Sequence, residues 1–198
     1  MTHVLSSAMS PAARRRAATR ERIAAAAAQL VAEVGLAGAT VDRIADTADI
    51  GRATFFRYFN SKEDAVAEGI NAHWLGRITT ALAAQPIGLS ATAAVLGAFH
   101  ELAVGFAEIE EQVRELATLT RSSETLDAWT LHIYVRYESA IAELVAPRLP
   151  DLAPQDVRPR LIGAVAMATV RIALDDWLSD GGSLPERVRQ GLAAITIV

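Results

Sequence analysis

The sequence predicts an all-α protein of about nine helices, and three observations carry that reading. Hydrophobic residues make up 52% of the 198 positions, and much of that share is alanine, the strongest helix former. No run alternates Val, Ile or Thr with polar residues for long enough to make a strand. The prolines are sparse and fall mostly where helical stripes begin or stop.

The elements follow in order. Residues 1–18 are small, polar and then basic, and read as a disordered basic arm. Thr19 caps a first helix that runs to about residue 34, with Ile23, Ala27, Leu30 and Val34 on one face and Gly35 as its stop. The basic flank before an apolar run imitates a signal peptide, but Gln29 and Glu33 interrupt the run and the apolar residues keep helical spacing. Thr40 caps a short second helix whose inner face is Val41, Ile44, Ala45 and Ala48. A third helix covers residues 52–59. Ser61 caps a fourth, with Glu63 and Asp64 at the positive end of its dipole, and this helix ends before Pro86. Longer helices follow at about 91–107, 110–121, 126–146 and 160–178. The Gly181-Gly182 pair stops the most apolar of these, and Ser183 caps a last one carrying Val188, Leu192 and Ile195.

Composition narrows the chemistry. There is no cysteine, so thiol nucleophiles, thiolate metal sites and disulfides are excluded, which fits a cytoplasmic protein. His3, His73, His100 and His132 do not stand at metal-ligand spacing, and no metal or cofactor is expected. No phosphate-binding glycine loop, zinc-protease motif or nucleophile elbow is present, so no catalytic residue is named. An all-helical ligand-binding enzyme without a recognisable motif is the alternative reading. The net charge of −4 is unevenly spread. Residues 1–64 carry nine basic against seven acidic side chains, and the rest carry ten against sixteen. Five arginines lie between Arg14 and Arg22, the footprint of a nucleic-acid partner. No segment reaches the roughly 18 apolar residues that a membrane-spanning helix needs.

Three short helices leading into a long fourth form a helix-turn-helix head at 19–64, followed by a larger helical domain at 65–198. A recognition helix must bury one face and offer another to the major groove. In the third helix, Phe55 and Phe59 share a face and supply the anchor. Arg52, Ala53, Thr54, Phe56, Arg57 and Tyr58 occupy the others. Thr54 and Tyr58 can donate to phosphates, Ala53 permits close approach, and Arg52 or Arg57 can read guanine edges. Lys62, the only lysine, stands in the first turn of the fourth helix, where free N–H groups and a cation make a phosphate clamp. Thr40 stands at the start of the second helix, ready for a matching contact.

The stretch ATVDRIADTADIGRATFFRYFNSKEDAV resembles the signature of TetR-family transcriptional regulators. The resemblance covers about residues 20–70 and implies phosphate contacts from Thr40, Thr54, Tyr58 and Lys62, with base reading near Arg52, Ala53 and Arg57. Two positions depart from the pattern: Phe56 stands where the family usually has Tyr, and Gly51 where Ser is common. The resemblance also implies a homodimer on palindromic double-stranded operator DNA, joined through the last two helices and released by a small-molecule effector. No membrane partner is expected.

Candidate interface residues on the last two helices are Val170, Leu174, Leu178, Leu192 and Ile195. Candidate ligand contacts are Phe99, Phe106, Trp129, Ile133, Tyr137 and Met167, with Arg136 and Arg171 for an anionic group. Arg171 also stands four residues before Asp175, the spacing of a helical ion pair. The signature together with VRIALDDWLSDGGSL is similar to the branch associated with acyl-CoA-type ligands, which includes mycofactocin-system regulators.

Overall fold

The computed structural model describes residues 10–121 and 124–194. Among these residues all regular structure is helical, with no strand: nine α-helices and one short 3-10 turn, Ala146–Arg148. The chain divides into two compact units, Met1–Ile70 and Asn71–Val198. The division falls inside the fourth helix, six residues beyond the domain boundary that the motif suggests. No single helix among the described residues is long and apolar enough to cross a membrane.

The first unit begins with α1 (Pro11–Gly38), which is kinked at Gly35. Its start is a correction, because residues 11–18 are helical and not a disordered arm. Ser10 is the true cap, its hydroxyl accepting from the Ala13 N–H at 3.2 Å, and Pro11 supplies the pre-set first position. Thr19 lies mid-helix and donates to the Arg15 carbonyl instead. Residues 1–9 of the expected arm lie outside the described residues. Next come α2 (Val41–Thr47), capped by Thr40, and α3 (Arg52–Phe55). The third helix is shorter than its sequence pattern suggests. After Phe55 the chain tightens into i−3 bonds, Arg57 N–H to Thr54 at 3.1 Å and Tyr58 N–H to Phe55 at 2.9 Å.

α4 (Lys62–Ala84) crosses α1 so closely that a Cβ at Gly69 would lie 1.9 Å from the Ala24 carbonyl oxygen. Only glycine fits there. Ile23, Ala27, Leu30, Ile44, Phe55, Phe59 and Val66 form the small core, and Ile23, Ile44 and Phe55 are wholly buried. Each large side chain of this set contributes about 1.5–3 kcal/mol on burial.

The second unit contains the rest of α4 with α5 (Ala91–Ala103), α6 (Phe106–Thr120), α7 (Glu124–Val145), α8 (Arg158–Asp180) and α9 (Leu184–Ala193). The break between α5 and α6 comes earlier than the hydrophobic pattern indicates. Gly105 takes a left-handed conformation, φ 75°, and the two helices meet at 97°. α7 and α8 form the most extensive helix pair, and a Cβ at Gly163 on α8 would lie 2.3 Å from the Glu138 carbonyl on α7. Ile78, Leu82, Ile141, Val145, Ile162 and Met167 are central to one core cluster. Trp177, wholly buried, centres another with Ala173, Leu184 and Val188.

Candidate operator interface and effector cavity

The head presents its signature residues outward because Phe55 and Phe59 turn inward. Those two rings are buried with centroids 5.8 Å apart. Arg52, Ala53, Phe56 and Arg57 are exposed, and Thr54 and Tyr58 are half-buried beside them. Thr40 is also exposed, its oxygen accepting from the Arg43 N–H at 3.3 Å while its own proton remains available to donate. Arg52 is held by Asp42 at 2.6 Å and lies over the Phe56 ring at 5.4 Å, so its guanidinium is braced on the exposed face. The sequence pattern gave no sign of Asp42 in this role.

Lys62 does more than the signature suggests. Its ammonium donates to the Leu36 carbonyl at 2.8 Å, near the C-terminal end of α1. A cation there complements the negative end of the dipole. Lysine has three donors, so one bond to Leu36 leaves others for a phosphate. Within the arginine cluster, Arg20 is structural. It grips Glu68 on α4 through Nε at 2.8 Å and 3.0 Å, donates to the Tyr58 carbonyl, and lies 4.2 Å from the centre of the Phe59 ring. That contact fixes the turn after α3 against α1 and α4. Arg15 and Arg16 instead line an open cleft with Thr19, Arg57 and Tyr58, next to the reading surface.

The second unit contains a cavity of about 150 Å³ that opens to solvent. Its wall takes Asn71 and Trp74 from α4, Phe99 and Leu102 from α5, and Phe106, Ala117 and Thr120 from α6. Tyr134 and Tyr137 come from α7, Met167, Val170 and Leu174 from α8, and Leu184 and Val188 from α9. Arg121, just past α6, is its one charged wall residue among the described residues. The Tyr137 hydroxyl donates to the Asn71 backbone carbonyl at 2.6 Å and lies 3.1 Å from the Asn71 side-chain oxygen. Burial pushes the phenols of Tyr134 and Tyr137 up, so both stay neutral donors near pH 7. Arg121 donates to Asp175 at 2.7 Å, and Arg171 reaches the other oxygen of the same carboxylate at 3.6 Å.

Of the ligand contacts named from sequence, Phe99, Phe106, Tyr137 and Met167 lie on this wall. Ile133 is buried in the core, Arg136 is exposed on α7, and Arg171 is not on the wall but pairs with Asp175, which also holds Arg121. The side chain of Trp129 lies outside the described residues. Sequence reasoning missed Asn71, Trp74, Arg121 and Tyr134, because helical stripes do not say which stripe faces a void.

Two family models account for most of the chain. The model described as bacterial regulatory proteins, tetR family, matches residues 23–68, and the MftR C-terminal domain matches residues 89–197. The chain belongs to the TetR family. It is 30% identical over 165 residues to the HTH-type transcriptional regulator TcmR of Streptomyces glaucescens, covering 80% of this chain and 73% of that protein. It is likewise 30% identical over 173 residues to MftR of Mycobacterium tuberculosis, named as a mycofactocin biosynthesis transcriptional regulator, covering 84% of this chain and 83% of the other. The fold matches that of Thermus thermophilus FadR, a TetR-family repressor solved with lauroyl-CoA. That match has a TM-score of 0.63 at 23% identity and covers 88% and 91% of the two chains.

As a TetR-family transcriptional regulator, the chain carries a DNA-binding helix-turn-helix head. The family resemblance suggested an interface on the last two helices, and the described residues named for it are half-buried within the single chain. Val170 and Leu174 line the cavity, while Leu178 and Leu192 are partly buried against the cluster around Trp177. Ile195 lies outside the described residues. On α7 and α8 the large apolar side chains left exposed, among the described residues, are Leu131, Val135, Leu161 and Ile172. Leu161 and Ile172 are eleven residues apart, three helical turns, and so share one face.

Proposed function

We propose that this protein is a ligand-responsive repressor that binds a palindromic operator as a homodimer. The observation that carries the reading is the outward set Arg52, Ala53, Thr54, Arg57 and Tyr58, held over the buried pair Phe55 and Phe59. Arg52 and Arg57 read base edges in the major groove, and Thr40, Thr54, Tyr58 and Lys62 fix the register on phosphates. Phe56 takes the place of a phosphate-bonding hydroxyl and leaves an apolar contact, such as a thymine methyl. Arg15 and Arg16 add charge beside the same strand.

Two heads require two chains. The exposed face formed by Leu131, Val135, Leu161 and Ile172 supports a dimer through α7 and α8, where four helices pack together. A small, largely apolar effector occupies the cavity. α4 begins in the head at Lys62 and supplies Asn71, Trp74 and Ile78 to the cavity wall, so one helix belongs to both sites. The Tyr137 bond to the Asn71 carbonyl ties that helix to the wall. A ligand that contests this bond shifts α4, changes the spacing of the two heads and releases the DNA. An acyl-CoA of the kind in the Thermus FadR structure is the larger alternative, of which a cavity of about 150 Å³ holds only a fraction.

Selection of bound fragments from a random duplex library, followed by footprinting, tests the reading. A single palindromic motif with half-sites about one helical turn apart is expected. Recovery of fragments without a shared motif would overturn it.

A further inference from the structure

The cavity specifies a ligand chemistry, and the inference rests on its being the effector site. Its volume of about 150 Å³ is of the size that holds one benzene ring, and its mouth is open to solvent. Phe99, Phe106, Tyr137 and Met167 offer ring faces and a polarizable sulfur around it. Among the described residues Arg121 is the only charged side chain on the wall, and it is about three-quarters buried, 24% exposed. Its partner Asp175 is shared with Arg171, so two guanidiniums divide one carboxylate and the group carries a spare positive charge. An incoming carboxylate can therefore take the Arg121 fork while Asp175 keeps Arg171, and neither acid is left unpaired. The phenol of Tyr134 stands next to Arg121 on the wall and adds a donor.

We infer that the effector is a single-ring carboxylic acid, its ring among the aromatic wall residues and its carboxylate on Arg121.

The full-length protein is titrated with 3-phenylpropionate, with the neutral alcohol 3-phenylpropanol and with lauroyl-CoA, following heat and tryptophan fluorescence from Trp74 on the wall. The acid is expected to bind about 10- to 100-fold tighter than the alcohol, the range of a charge-assisted hydrogen bond. Arg121→Met should erase that difference while keeping the alcohol's affinity. The comparison of acid and alcohol on the unaltered protein stands even if the variant does not fold. Equal binding of acid and alcohol, or binding of lauroyl-CoA alone, would overturn the ligand class yet leave a filled effector cavity. No binding by any of the three, with operator binding intact, would overturn the effector site as well.

Discussion

Replacing Lys62 by Met separates two roles that the structure gives to one side chain. The methionine keeps the apolar stem and removes the ammonium. In the free protein the loss is the bond to the Leu36 carbonyl, 2.8 Å long and partly buried, together with its compensation of the α1 dipole. A hydrogen bond from a charged donor is worth about 1.5–3 kcal/mol, and partial exposure puts this one near the lower end. Thermal unfolding followed by circular dichroism should therefore show a loss of about 1–2 kcal/mol. On DNA the loss is one phosphate contact per head, two per dimer. The slope of log affinity against log salt should become shallower by about 1.8, from about 0.9 per phosphate contact. Fluorescence anisotropy on a labelled operator duplex, over about 50–300 mM salt, reads this directly. Sequence preference should not change, because phosphate contacts carry no sequence information. An unchanged slope with reduced stability would refute the clamp and leave Lys62 as a helix cap alone.

Other substitutions test other parts of the account. Gly69→Ala should cost about 1–3 kcal/mol in a denaturant titration, although alanine gains about 1 kcal/mol in helix propensity. The new Cβ would meet the Ala24 carbonyl oxygen at 1.9 Å, and α1 and α4 must separate. Ile172→Asp places a charge on the exposed apolar face of α8 and should yield a monomer by light scattering, with operator affinity lost alongside. Hydrogen bonds from Arg189 and then Gln190 hold Glu186 down to about 2 from an ordinary 4.5. Its contribution to α9 is therefore complete above about pH 4.5 and disappears as pH falls through about 2. Helicity of the Glu186→Gln variant should lack that acid transition.

Much of the head was legible because its logic is local. Thr40 and Ser61 cap helices three residues away, and Phe55 and Phe59 share a face by spacing alone. The ties that lock the head are not local. Arg20 meets Glu68 across 48 positions and Lys62 meets Leu36 across 26, and no periodicity reports such pairs. The early start of α1 was hidden by its arginines, which look like a tail until Ser10 and Pro11 are seen as a cap. Gly105 was hidden because one glycine in an apolar run is compatible with a continuing helix. α8 defeated orientation by sequence, since large apolar residues surround most of it. Val170 and Leu174 looked like interface and line the cavity, while Leu161 and Ile172 are the ones left outside. Arg121 was overlooked because its partner Asp175 lies 54 residues further on.

The most direct test of the central claim is the affinity of the full-length protein for its selected palindrome against a scrambled duplex of equal length, at about 150 mM salt. The account predicts a difference of about 10³-fold or more, the lower end for specific DNA-binding proteins, and its collapse in Arg52→Ala. Equal affinity for the two duplexes would contradict it.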